Sequence, residues 1–236
     1  MERKEYALGV RDSLPVGVGY FAVSFGFGVA AVQTVSVVQA TVMSLSNLTS
    51  AGQFAAIGVI AAASSLWIML LTQLVINSRY ALMSLALSQK LGKKFGLLQR
   101  LIIAFYNTDE IFALAMQRPV PLTISYMYGL GLTPILGWTS GTLLGALAGD
   151  VLPASVSTAL GVALYGMFVA IVVPQAAKSK PKRIAALLAA SLSCLFTWVP
   201  WLKDVDSGLA IVLCTCIAAA VCAVLFPIDD REEASE

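Results

Sequence analysis

The chain has 236 residues, 58% hydrophobic and 12% charged, with a mean hydropathy of +0.85. Soluble domains carry about 25% charged residues, so a fold of this size surrounded by water is excluded and lipid must cover much of its surface. A net charge of +2, spread over short clusters, argues against nucleic acid. The absence of histidine removes the commonest metal ligand and the commonest neutral-pH general base.

Crossing about 30 Å of hydrocarbon takes roughly 20 apolar residues, because every backbone amide must be bonded within its own helix. Candidate spans fall at 15–33, 35–53, 54–77, 101–117, 121–149, 155–174, 184–201 and 208–227. They predict an all-α polytopic bundle of about six to eight helices, a single transmembrane domain over 1–236. Met1-Glu2-Arg3-Lys4-Glu5 is not read as a cleavable signal, since no small-residue cleavage pattern ends the Gly-rich run that follows. The stretch from Ser44 to Gln53 is polar at bilayer depth, and 101–117 is short and polar for a free-standing span. Runs 54–77, 155–174, 184–201 and 208–227 read as the clearest spans. Gly129-Leu130-Gly131-Leu132-Thr133-Pro134 joins flexible residues to a missing amide hydrogen and predicts a kink or break in 121–149. The run 19–28 faintly echoes 137–146, which would divide the chain into halves 12–117 and 121–227.

Three basic clusters orient these spans: Arg3, Lys4 and Arg11; Lys90, Lys93, Lys94 and Arg100; Lys178, Lys180, Lys182 and Arg183. The positive-inside rule puts all three in the cytoplasm, with the N-terminus. Eight full crossings would put the second and third outside. The conflict is relieved if 35–53 and 101–117 are re-entrant or broken.

Gly137, Gly141, Gly145 and Gly149 recur every four residues and, with Gly26 and Gly28, predict close helix packing or a docking face. Asp109 and Glu110, beside Asn107, lie midway along 101–117, and a charge at the bilayer centre costs about 2.5–3.5 kcal/mol. Either that segment is interfacial with both acids in water, or one acid carries a proton or meets a substrate amine. Arg79 ends the third run and reads either as a snorkelling interfacial side chain or as a guanidinium aimed at a carboxylate. Gln73, Asn77, Tyr80 and Ser84 share one helix face, which reads either as a pathway lining, together with Asn47, Ser50 and Gln53, or as a helix-to-helix hydrogen-bond seam. Asp150, Lys203, Asp204 and Asp206 read as loop residues. Trp198 and Trp201 are candidate interfacial anchors, whereas Trp67 and Trp138 read as packing residues. Cys194, Cys214, Cys216 and Cys222 lie in apolar runs and read as small packing residues. No Walker loop, metal-ligand spacing or nucleophile elbow is present, so neither a cofactor, a metal nor an enzyme activity is expected.

The chain resembles the AzlC/YgaZ family, the large subunit of branched-chain amino acid exporters. The resemblance covers most of the chain and is best over 9–116. Its carriers are Asp12-Ser13-Leu14-Pro15, Phe25-Gly26-Phe27-Gly28, Gln53-Phe54, Ser64-Ser65-Leu66-Trp67, Arg79 within Asn77–Leu82, and Thr108-Asp109-Glu110-Ile111-Phe112. It implies export of L-valine and related apolar amino acids from the bacterial cytoplasm through the inner membrane. It also implies a small, separately encoded AzlD/YgaH-like membrane partner, and some family members have been labelled permease components of multi-component systems. Two departures fall on the candidate pathway: Tyr80 stands where the family often has histidine, and Thr49-Ser50-Ala51-Gly52-Gln53-Phe54 replaces an Ala-Gly-Ala-Ser-Gln-Phe-like run.

Overall fold

A computed structural model describes residues 2–149, 169, 172–174, 176–202 and 204–226. All regular structure among them is α-helical: α1 (Glu2–Ala31), α2 (Val37–Ser46), α3 (Ser50–Ala61), α4 (Leu66–Lys90), α5 (Leu97–Tyr106), α6 (Asp109–Gln117), α7 (Ile124–Gly149), α8 (Lys180–Trp198) and α9 (Ser207–Leu225). Of these, α1, α4, α7 and α9 are long and apolar enough to cross a membrane. The candidate span 155–174 and Asp150 lie largely outside the described residues.

The core of the bundle is the parallel pair α1 and α7. Gly9 meets Tyr126 and Leu130, Gly17 meets Thr133, and Gly28 meets Thr142 and Ala146. From the other side Gly137 meets Gly17, Gly141 meets Phe21 and Ser24, Gly145 meets Phe25, and Gly149 meets Val29 and Val32. The two runs that echo each other in sequence thus face each other in space. A Cβ on Gly137 would come closer than 3.0 Å to the Gly17 carbonyl, so only glycine lets these backbones approach so closely. Gly26 is different. Nothing stands within 4 Å of where its Cβ would be, so it is not a packing glycine.

Two helical hairpins fill the flanks. Helices α2 and α3, of 10 and 12 residues, are each only about 15–18 Å long and cannot cross. They fold back on each other: Gln53 Nε2 donates to Ser44 Oγ at 2.9 Å, and Phe54 and Ile57 cluster with Val37, Ala40 and Met43. Helices α5 and α6, of 10 and 9 residues, do the same from the opposite end. Lys90, at the end of α4, donates to the carbonyls of Met116 and Arg118 at 2.7 and 2.8 Å, so α6 returns to the end where α5 began. Ile103, Tyr106, Ile111 and Ala115 bury this hairpin against Leu87, Tyr126, Met127 and Leu130.

This resolves the charge conflict. Arg118 binds Glu5 near the start of α1 at 2.7 Å, so the N-terminus and the Lys90–Arg100 cluster share one end. Helix α9 begins at the other end, where the Asp206 carboxylate accepts from the Ser64 hydroxyl. It runs back antiparallel to α8, and Cys222 reaches the Pro181 carbonyl at 4.0 Å. Lys178, Lys180, Lys182 and Arg183 therefore lie at the same end as the other two clusters. Re-entrance of the two short segments is the physical reason.

Several expectations are corrected. The run 54–77 is not one span: α3 stops at Ala61, Ala63 takes a positive φ of 51°, and α4 starts afresh behind the N-cap Ser65. The run 121–149 is unbroken through Pro134, because its long buried contact with α1 outweighs one lost hydrogen bond. Helix α1 begins at Glu2, ahead of the expected 15, and carries Pro15 within it. Trp138 is buried, but Trp67 is 74% exposed and joins Trp198 and Trp201 on the outer surface. Of the cysteines, all free, only Cys214 is buried. Asp206 is the N-cap of α9 rather than a plain loop residue.

Candidate functional site

The tips of the two hairpins, 47–49 and 107–108, enter from opposite ends and both meet the middle of α4. At the first, Gln73 Nε2 donates to the Gly52 carbonyl at 2.9 Å and Asn77 Nδ2 donates to Gln73 Oε1 at 3.0 Å. A Cβ on Gly52 would strike Thr49 and Gln73, so glycine admits α4 to this tip. At the second, Asn107 Nδ2 donates to Ser84 Oγ at 3.2 Å. Asn77 and Ser84 are seven residues apart, about 10 Å along the axis. The polar stripe of α4 spans the gap between the tips.

Arg79 lies in that gap. It is the fourteenth of the 25 residues of α4, so the helix continues well past the apolar run that Arg79 closes. Its Nη1 donates to the Asp109 carboxylate in an ion pair, and its Nη2 donates to the Tyr80 hydroxyl at 3.3 Å. Both charged side chains are half-exposed, at 50% and 46%. At mid-span such a surface faces water or another protein, since lipid would expel it. Asp109 and Glu110 occupy the first turn of α6, where acids offset the helix dipole. They do not lie midway along a single helix. Glu110 accepts from the Tyr20 hydroxyl.

Behind the charges runs a dry relay. Tyr20 packs edge-on against Trp138, with centroids 5.3 Å apart. Trp138 Nε1 donates to Gln53 Oε1 at 2.7 Å, and Ser44 Oγ, which accepts from Gln53, lies 2.7 Å from Thr142 Oγ1. These bonds tie α7 and the α2–α3 hairpin to the Glu110 side of the site. Gln53 is thus a buried structural hub rather than an open lining residue.

Among the described residues, Ser50 Oγ, Asn77 Oδ1, Asn107 Oδ1 and Thr108 Oγ1 are buried without a hydrogen-bond partner at the hairpin tips or on the face of α4 that meets them. So are Thr72 Oγ1, Arg118 Nη1 and Thr139 Oγ1 elsewhere. Thr108 is notable because Ser36, Thr49, Ser65 and Asp206 each use their side chain to cap a helix and Thr108 does not. Asn47, by contrast, is satisfied, accepting from the Thr49 amide at 2.9 Å. Sequence reasoning missed Tyr20, Ser44, Trp138 and Thr142 as site-supporting residues. The available signal was a set of polar and aromatic side chains inside otherwise apolar, Gly-rich runs. No group of three or more metal-ligating His, Cys, Asp or Glu exists among the described residues. Two cavities, of about 480 and 610 Å³, lie elsewhere, one between α8 and α9 and the other beside Glu5, Lys90 and Thr123.

The model of the family described as "AzlC protein" matches residues 15–152, which include every residue of this constellation. The chain belongs to the AzlC family. This AzlC-family chain is 29% identical over 224 residues to the "Inner membrane protein YgaZ" of Escherichia coli (strain K12), covering 90% of this chain and 89% of the relative. It is 32% identical over 170 residues to an "Uncharacterized membrane protein" of Archaeoglobus fulgidus, covering 70% and 74%. No solved structure matches. AzlC is a transporter-type family of membrane proteins, which fits a chain whose charged centre lies between re-entrant hairpins.

Proposed function

We propose that this chain is the large subunit of a secondary exporter that moves neutral, apolar amino acids such as L-valine out of the bacterial cytoplasm across the inner membrane. The observation that carries the reading is the meeting of two re-entrant hairpins, from opposite ends, around Arg79, Asp109 and Glu110 on the polar face of α4. Interrupted helices give transporters a midplane site because their free backbone ends and dipoles replace water around a polar ligand. Here Ser50, Asn77, Asn107 and Thr108 add unspent polar atoms at those ends.

Arg79 holds or steers the carboxylate of the substrate, a task its planar fork suits. Asp109 pairs with Arg79 while its neighbour Glu110 has only the neutral Tyr20 hydroxyl, which leaves an excess negative charge that a proton or the substrate ammonium offsets on Asp109 or Glu110. A membrane potential supplies about 2.3 kcal/mol per charge per 100 mV, and 1.4 kcal/mol is tenfold in concentration. One coupled proton therefore sustains an outward gradient of more than tenfold. The positive-inside rule, applied to three basic clusters at one end, supports a cytoplasmic N-terminus. A small AzlD/YgaH-like membrane subunit is the partner that the family resemblance implies.

The test is reconstitution. Full-length chain with the small partner, and no ATPase, is expected to move labelled L-valine across proteoliposomes. Absence of valine, leucine and isoleucine transport in those vesicles would refute secondary export and leave an accessory role in a larger system.

A further inference from the structure

We infer that the Arg79–Asp109 pair is a receptor for a whole amino acid zwitterion, and that the substrate ammonium and a proton exclude each other on Asp109. This rests on the export reading above. The pair is a plus and a minus charge in contact, half-exposed at mid-span. Each partner keeps unspent capacity. A guanidinium has five N–H donors; Nη1 serves Asp109 and Nη2 serves Tyr80, leaving further hydrogens free. Asp109 accepts from Arg79 through Oδ2 alone, so Oδ1 remains.

An amino acid carries its own two charges about 3 Å apart on one carbon, the same scale as a contact ion pair. Laid antiparallel beside Arg79 and Asp109, it completes an alternating square in which each charge has two opposite neighbours. Nothing in the protein has to break. A ligand with one ionic end gains one attraction and suffers one repulsion, so it binds poorly.

Asp109 is the exchanging acid, and Glu110 is not. Glu110 is held by the Tyr20 hydroxyl, which is itself packed on Trp138 and its buried relay. The groups facing Asp109 are Arg79 and Tyr80 from α4 and Glu110 on α6, while Tyr20 from α1 faces Glu110. Helix α7 bears no charged residue from Ile124 to Gly149, and Arg79 is the one cation paired with the acid among the described residues. The ionised Asp109 of the Arg79 pair accepts the ammonium directly, with no proton released. From the protonated form, in which that pair is given up, the proton must first leave to the aqueous side. Release therefore accompanies binding only at a pH where Asp109 is partly protonated. When it takes a proton, the ammonium loses its partner. Valine and a proton then move one for one in opposite directions, which is the sense that an inward proton gradient needs to drive export.

The experiment uses purified full-length chain in detergent. L-valine, isovalerate and isobutylamine are titrated, and proton release is followed with a dye in weak buffer across roughly pH 5–8. The expected result is valine bound at least about tenfold more tightly than either one-ended analogue, with up to about one proton released per valine. Asp109→Asn should release none and should lose about tenfold in valine affinity, while Asp109→Glu should restore the release. Equal affinity for isovalerate, or valine binding by the wild type without proton release at any pH, would overturn the inference. The wild-type measurements decide even if Asp109→Asn fails to insert. Protein that binds no valine, leucine or isoleucine at all would instead refute the export reading.

Discussion

Gly145→Ala and Gly26→Ala are the same chemical change in helices of the same core, and they should move stability in opposite directions. At Gly145 the added Cβ would lie closer than 3.0 Å to the carbonyl oxygen, carbonyl carbon and Cα of Phe25. All three are backbone atoms of α1, so no rotamer can relieve the contact. Restoring an ordinary separation of 3.4 Å or more means moving the two helices apart, which weakens contacts along the whole crossing. Overpacking of this kind costs about 1–3 kcal/mol. Three rigid backbone contacts place this cost in the upper half of that range, and the better helix propensity of alanine returns about 1 kcal/mol, for a net loss of about 1–2 kcal/mol. At Gly26 nothing lies within 4 Å, so only the propensity gain of about 0.5–1 kcal/mol remains. Unfolding of the purified chain in mixed micelles, followed by tryptophan fluorescence, reads both. Stability that moves the same way in the two variants, or Gly145→Ala matching the wild type, would refute the close α1–α7 crossing.

Other outcomes follow from the same structure. Trp138→Phe leaves Gln53 Oε1 buried without its donor and should cost about 1–3 kcal/mol in the same assay, with Gln53→Leu added to it recovering part of the loss. Glu5→Gln weakens the hold on Arg118, whose side chain is 8% exposed and lies 3.6 Å over the Tyr126 ring; thermal melting should show a loss of about 1–3 kcal/mol. The Ser64 hydroxyl, with the Gly208 and Leu209 amides, holds Asp206 below the usual carboxylate range. A depressed carboxyl stabilises the fold above its unfolded pKa of about 4 and loses that contribution as the pH falls through the folded value. Hydrogen exchange in the first turn of α9 should therefore speed up below about pH 4, and Ser64→Ala should lessen that acid sensitivity.

The solvent was legible from composition, and the re-entrant hairpins were legible from a contradiction. Hydropathy offered eight crossings, basic residues demanded a shared end, and only partial insertion of 35–53 and 101–117 satisfied both. The polar run from Ser44 to Gln53 marked the first tip within a few residues, because unpaired backbone at bilayer depth needs polar side chains nearby. The break at 62–65 was harder to see. Its alanines and serines are small and nearly neutral in hydropathy, so a window bridges them. Pro134 misled in the other direction, since its local cost is outweighed by glycine-mediated packing that no local pattern reveals. The stripe of Gln73, Asn77, Tyr80 and Ser84 was readable from spacing alone. That Arg79 would meet Asp109, thirty residues away, depended on how the α5–α6 hairpin folds back, which is a tertiary fact. Tyr20 escaped notice, and Trp138 was legible only as a packing residue, because an aromatic in an apolar span carries no mark of the hydrogen bond it makes.

Cysteine accessibility tests the re-entrant topology most directly. In a background lacking Cys194, Cys214, Cys216 and Cys222, Lys94→Cys and Pro121→Cys flank the α5–α6 hairpin, and Thr34→Cys and Ala63→Cys flank the α2–α3 hairpin. A membrane-impermeant maleimide should label the first two from one side and the last two from the other. Positions 94 and 121 labelling from opposite sides would mean that α5 and α6 cross the bilayer, and the meeting of the two tips beside Arg79 would be lost.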